Sequence, residues 1–351
     1  MERVIIVGGG IAGLTCLNAL LDQGVSALLL EAGTIGEPKM CGEFLAPPAV
    51  SFLKQWDIGP IQTIQQVNFF TKNKTLTVDF PKPAGALARD QAELQLAERA
   101  KQKGGQILEN SPILNMVPDT QTSSYTFCLE SGEKIQAQST FMATGKMNPI
   151  RKSVKLPYYA LKTHFKNVIN PNTLLMHSVK NAYFGVVPIS DEFSNFACLV
   201  KKEAVDKAGS CRQFFYDLVR QHKFLQQTFE HMDISKIDLL EGKSPKFCLK
   251  NIPDWPNVFW VGDALASFPP AIGYGFTHSI HSAVIAVKYF LKNDPIQYHQ
   301  ISKKTIKPNL LLGRGIHQLL LNPVYGSLFF PFLQDNPWIS NLLLRKIGYN
   351  K

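Results

Sequence analysis

Cysteine is sparse and unpatterned in this chain. Six residues in 351 (Cys16, Cys41, Cys128, Cys198, Cys211, Cys248) carry no CxxC spacing, which argues against a disulfide frame or a zinc site and reads as reduced cytoplasmic thiols. An apolar strand pattern begins at about residue 3, which leaves no room for a signal peptide. No apolar run is long enough to span a bilayer, since residues 310–333 are interrupted by Arg314, His317, Pro323 and Pro331. Internal repeats, low-complexity stretches, Ser-His-Asp groupings and glycosidase-like carboxylate pairs are missing as well. No basic run is interleaved with aromatics, which sets nucleic acid aside as a partner.

What is present suits two lobes plus an extension: 351 residues, 45% hydrophobic, with a formal net charge of +10. The charge is uneven. From Ala286 to the end, nine Lys or Arg face only Asp294 and Asp335, a net of +7, in a segment rich in Leu, Ile and Phe. Such a tail can touch an anionic membrane surface or cover an apolar substrate. It can equally be a solvated helical face over a core face.

The densest signal lies in the first thirty-one residues. Val4-Ile5-Ile6-Val7 reads as a buried strand, Gly8-Gly9-Gly10-Ile11-Ala12-Gly13 as a glycine turn entering a helix, and Ala27-Leu28-Leu29-Leu30-Glu31 as a strand ending in an acid. Gly8 permits the sharp turn, Gly10 the close approach of backbone to a pyrophosphate, and Gly13 the packing of helix on strand. The helix start offers free N–H groups to phosphates, and Glu31 is placed to accept from ribose hydroxyls. The acid favours an unphosphorylated ribose, hence FAD or NAD. The plain alternative is a strand–helix–strand unit that binds nothing.

Further along, a Gly/Pro-rich link (33–48) encloses Met40-Cys41-Gly42-Glu43. The pattern predicts a helix over 49–55, a hairpin of 67–71 and 75–80 across Lys72-Asn73-Lys74, and a helix over 89–103. Short strands are expected at 106–109, 125–129 and 134–136, and a buried strand runs from Ser139 into Gly145. Residues 159–165, 173–178, 182–188 and 195–200 read as strands without intervening long helices, hence a mostly antiparallel second lobe. A helix is expected over 213–229, a strand at 258–261 returning to the first lobe, a helix over 273–291, and a helical tail punctuated by Pro after about residue 301.

This layout resembles the FAD-dependent oxidoreductases that include geranylgeranyl reductases and aromatic-ring hydroxylases (flavoprotein monooxygenases), over roughly residues 1–300. Gly8, Gly10, Ala12, Gly13 and Glu31 match the family's FAD fingerprint. Arg89 with Glu93 and Leu96 resembles its Arg-x-x-x-Asp-x-x-Leu helix, Glu replacing Asp, whose Arg lies close to the cofactor. Ala143-Thr144-Gly145 resembles its Ala-Thr-Gly turn, and Gly262-Asp263-Ala264 the Gly-Asp-Ala motif whose acid binds the ribityl chain. Pro269-Pro270-Ala271-Ile272-Gly273-Tyr274-Gly275 resembles the Pro-x-x-Gly-x-Gly segment beside the isoalloxazine. A helix starting there can stabilise the reduced flavin anion.

Cys41-Gly42 resembles the Cys-Gly of the reductases, near the flavin's reacting face. Cys41 is either a proton donor or a small apolar filler, while Gly42 and Glu43 pass near the ring. Tyr183-Phe184-Gly185-Val186-Val187-Pro188 matches the reductases' Tyr-x-Trp-x-Phe-Pro only at Tyr183 and Pro188. Gly185 and Val187 replace the large aromatics, so a pocket of different shape is expected. His278 and His281, three apart on one helix, are candidate bases or satisfied histidines.

The resemblance implies an α/β protein: a discontinuous Rossmann-like FAD-binding domain (1–66, 85–157, 246–300), an antiparallel-sheet substrate domain (67–84, 158–245) and a helical C-terminal tail (301–351). FAD would carry the chemistry, with NAD(P)H as transient electron donor. The expected partner is an apolar or lipid-like small molecule contacting Tyr183, Gly185, Pro188 and Pro270, and the expected location is cytoplasmic or membrane-peripheral. Two reactions compete: hydride transfer to a C=C bond, favoured by Cys41-Gly42, and hydroxylation with O2, favoured by the altered aromatic motif. A non-catalytic lipid carrier of the Rab GDP-dissociation inhibitor type is a third reading, opposed by Glu31, Arg89 and Asp263.

Overall fold

The computed structural model describes residues 4–346 apart from 72–73, 120, 123, 147–155 and 254. The expected turn at Lys72-Asn73 thus lies outside the described residues. A five-stranded sheet forms the first layer, in the order Val258–Trp260, Ser139–Met142, Val4–Val7, Ala27–Leu30, Gln106–Leu108. Every pairing in it is parallel. The two central strands are buried along their whole length, as expected of near-continuous apolar runs covered on both faces. In chain order Val258–Trp260 comes last, with 115 residues (143–257) between it and Ser139–Met142, so the sheet is discontinuous in sequence.

An eight-stranded sheet forms the second layer, in the order Leu240–Ser244, Tyr158–Lys166, Phe193–Lys201, Ala182–Pro188, Thr173–Val179, Gln62–Phe70, Thr75–Ala86, Phe44–Leu45. All its pairs are antiparallel except Thr173–Val179 with Gln62–Phe70. The hairpin arms are longer than the alternation suggests, and Phe44–Leu45 pairs with Gly85 and Ala86. Alternation along Ala182–Pro188 sends Tyr183 and Val187 to the main core and Phe184 and Val186 to a second core under helices Cys211–Gln221 and Lys223–Thr228. These replace the single helix expected over 213–229, because His222 is extended (φ −112°, ψ 105°) and ends the first. A third, three-stranded sheet adds Ile113–Asp119 to the expected strands. Ile113–Asp119 is largely exposed, so it carries little apolar alternation to read.

Among the described residues the tail forms three helices, Pro295–Leu320, Pro323–Asp335 and Pro337–Lys346. Each helix begins with Pro at its first position, where the missing N–H costs nothing. The Asp294 and Asn322 side chains cap the first two by accepting from Gln297 N and Val324 N. Pro308 and Pro331 lie inside helices and do not end them.

His177 sits in the second core with its ring stacked on Phe70, Phe184 and Phe224 and edge-on to His222. Burial, with a smaller contribution from His222, drives its pKa down to about 3, and burial lowers that of His222 as well. His177 is therefore neutral when folded and takes up a proton near pH 6.5 only when unfolded, and His222 shifts in the same direction. Their stabilising contribution is complete above pH 6.5 and declines as the pH falls below it. The His177 contribution falls by up to about 1.4 kcal/mol per pH unit. We expect the urea midpoint to fall between pH 7 and pH 4.5, and His177→Phe to flatten that slope. A parallel pH dependence in wild type and variant would show that the caged imidazole does not set the acid lability.

Candidate functional site

The glycine turn is enforced by contact. A Cβ on Gly13 would sit 1.8 Å from the Gly8 carbonyl oxygen, and one on Gly8, whose φ is +105°, would sit 2.5 Å from Ala143 O. Helix Ile11–Leu21, strand Val4–Val7 and the 143–145 turn can close on one another only with glycine at both places. Gly10 caps that helix without a side chain, and its first turn carries no acid, so the N–H groups there are unshielded. Ala12 packs against Gly262, where a Cβ would meet it at 2.8 Å. Glu31, at the end of the second strand, accepts from Gly9 N and from Gly33 N (3.2 Å).

Arg89 is where the expected site residues converge. Its Nε donates to Glu93 (2.8 Å), its Nη2 would lie 3.4 Å from a Cβ on Gly10, and its charge acts on Cys41 and Asp263. Burial alone would lower its pKa; Glu93 and the other negative neighbours raise it instead. Lys39 also donates to the buried Glu93, at 2.9 Å.

Gly262-Asp263-Ala264 forms a 3₁₀ turn at the end of the last parallel strand. His278 holds it: Nε2 meets Gly262 O at 2.9 Å, and burial lowers the imidazole pKa to about 4. His278 is thus a neutral positioning group, while His281 is exposed on the same helix. Pro270–Ile272 makes a second 3₁₀ turn and Gly273 is left-handed (φ 59°), so the following helix starts at Gly275, not at Gly273. The helix Gly275–Phe290 has no side-chain cap and no acid in its first turn.

These features fit a bound dinucleotide. An added Cβ at Gly42, Gly145 or Gly275 would meet nothing within 4 Å, so the backbone there faces open space. Among the described residues Thr144 Oγ1 is buried without a hydrogen-bond partner. A buried hydroxyl and the strand-end Asp263, beside two uncapped helix starts, suit a ribityl chain and a pyrophosphate.

Cys41-Gly42-Glu43 divides its duties. Cys41 and Gly42 line an apolar cavity, and burial pushes the Cys41 thiol up, so it stays protonated at neutral pH. Glu43 turns the other way. It is left-handed (φ 56°) and fully buried, and its carboxylate accepts from Lys162 Nζ (2.5 Å) and Arg89 N (3.0 Å) and meets His164 Nε2 at 2.6 Å. Burial would raise its pKa, but the His164 hydrogen bond and the Lys162 charge outweigh burial and hold it below the ordinary value. Every oxygen is occupied, so Glu43 offers the groove its backbone and not its carboxylate. Lys162 and His164 escaped the sequence reading. They stand two apart on one strand, a spacing that puts them on one side but does not name their acid.

The cavity measures about 220 Å³ and lies between Cys41-Gly42, the 270–273 turn, the large sheet and the tail helices. Tyr183, Gly185 and Pro270 line it; Pro188 lies at the end of its strand, paired with Ser194 and outside the lining. Met176 fills the space that Gly185 leaves, 2.9 Å from where its Cβ would be. His317, from the tail, links Tyr183 Oη (3.2 Å) to Tyr158 Oη (3.0 Å) and is held neutral by burial, with a pKa of about 4. Nothing in the sequence flagged His317, because its partners lie 134 and 159 positions away.

A glycine turn against a parallel sheet, strand-end carboxylates and an apolar cavity beside a second sheet define a dinucleotide-dependent flavoprotein. The chain belongs to the FAD binding domain family, whose model matches residues 1–292, and with it to the FAD-dependent oxidoreductases. Its fold is similar to that of the flavin-dependent brominase Bmp2 (TM-score 0.81, 15% identity, covering 99% of this chain and 93% of that one). It is also similar to a geranylgeranyl bacteriochlorophyll reductase-like protein from Thermoplasma acidophilum (TM-score 0.72, 17% identity, 99% and 100% covered). A third similar structure is Klebsiella pneumoniae HpxO complexed with FAD (TM-score 0.78, 14% identity, 99% of each chain). No curated protein matches by sequence.

Removing one partner of the buried cluster leaves an uncompensated charge. We expect Lys162→Met to cost about 3–5 kcal/mol of stability at pH 7. The double variant Glu43→Gln/Lys162→Met should recover most of that in urea denaturation. Additive losses would mean that Glu43 and Lys162 do not act as a pair.

Proposed function

We propose that this FAD-dependent enzyme reduces a C=C bond of an apolar small molecule bound in the 220 Å³ cavity. The observation that carries the reading is the cavity wall: Phe, Leu, Met and Val side chains enclose it up to Cys41-Gly42 on one side and Pro270–Gly273 on the other. When bound and reduced, FAD would supply the hydride, with NAD(P)H as its transient donor. Gly8, Gly10, Ala12, Gly13 and Glu31 would hold the adenosine diphosphate half, and Arg89, Gly145, Gly262, Asp263, Gly273 and Gly275 the flavin half. Cys41 holds a proton at Sγ on the cavity wall and delivers it to the alkene carbon next to the one that takes the hydride. The apolar wall excludes water from the reacting centre, and Tyr183, anchored by His317, orients the ligand. Hydroxylation with O2 is the second reading, and the same largely apolar wall favours it.

The two readings separate in a split reaction. The flavin is reduced without oxygen, extract of the native host is added, and air is admitted to half. A substrate mass gain of two hydrogens in the anaerobic half is the expected result. A gain of one oxygen, only in air, would replace it with hydroxylation. Cys41→Ala should lower turnover about 100-fold or more with FAD still bound; unchanged turnover removes Cys41 from the proton path.

A further inference from the structure

The three tail helices are apolar on two sides. Their inner side, including Ile316, Leu319, Phe330 and Leu333, closes the cavity. Their outer side stays in water. Val324, Leu328 and Phe332 recur every four residues and are 61%, 73% and 49% exposed, and Trp338 (64%) and Leu342 (43%) repeat the spacing on the next helix. A water-facing stripe normally carries charge at such positions. On the first tail helix, Lys304, Lys307 and Leu311 follow at i, i+3 and i+7 and so share one side, exposed throughout. No helix among the described residues is long and apolar enough to cross a membrane.

We propose that this outer face docks the protein on an anionic lipid bilayer, lying in the interface with the cavity roof against the lipid. Leu328, Phe332 and Leu342 would enter the acyl boundary. Trp338 sits there readily, having an apolar ring and one polar N–H. The lysines meet anionic headgroups. Charge argues against a second copy of the chain on the same face, because it would set the +7 of residues 286–351 against itself.

The test uses the full-length, FAD-loaded protein with phosphatidylcholine vesicles, with and without phosphatidylserine. Flotation with the serine lipid at least about tenfold above phosphatidylcholine alone is expected. Acyl-brominated lipid should quench tryptophan fluorescence, and Trp338→Phe should remove most of that quenching. Leu328→Ser/Phe332→Ser, and separately Lys304→Gln/Lys307→Gln, should each lower partitioning about tenfold or more with the thermal melt unchanged. No flotation at low salt, or flotation that both variants leave intact, overturns the proposal. A lipid-independent dimer that Leu328→Ser/Phe332→Ser dissociates would also overturn it and give the face to a second copy. No turnover is read, so this result and that of the reductase assay stand separately.

Discussion

The structure turns on one buried carboxylate. Taking Glu43 out of water costs several kcal/mol unless its oxygens are matched, so its surroundings are dictated. Lys162 and His164 come from Tyr158–Lys166, the strand next to one edge of the large sheet, and the Arg89 N–H from the first turn of a first-lobe helix. One side chain therefore fixes the register between the two lobes. It also accounts for a left-handed residue without glycine's freedom: the strain of about 1 kcal/mol is outweighed by partners that admit no other backbone. With Glu43 turned inward, Cys41 and Gly42 face the cavity and the Arg89 side chain is left to pair with Glu93.

Local signals were legible where contact is local. The Gly8–Gly13 turn, the buried strands and Glu31 could be read because strand, turn and helix are neighbours in sequence. Both lobes and the return of Val258–Trp260 followed from period and spacing. The misreadings have physical causes. Pro punctuates the tail as read, opening three helices, but Pro308 and Pro331 sit inside two of them without ending them. Gly273 looked like a helix start but is left-handed, which delays the helix to Gly275. His222 lies in an unbroken apolar period, and only the backbone angles reveal the break.

What stayed hidden was long-range pairing. Pattern alone does not join Lys162 to Glu43 or His317 to Tyr183, because neither end announces the other. The loss of the large aromatic at Gly185 was visible, whereas its effect depends on Met176 from the neighbouring strand, which takes up the space. The cavity is thus a joint product of the loop at 40–44, the large sheet, the 270–273 turn and the tail, and no single motif describes it.

The strand order of the parallel sheet bears on the order of synthesis. Val258–Trp260 pairs with Ser139–Met142, so that edge stays open on the ribosome until about three quarters of the chain has been made. The helices that roof the cavity emerge later still. A chain released early would carry the glycine turn and the buried carboxylate cluster, yet expose an unpaired strand edge and an uncovered apolar wall, the two surfaces on which unfinished proteins aggregate.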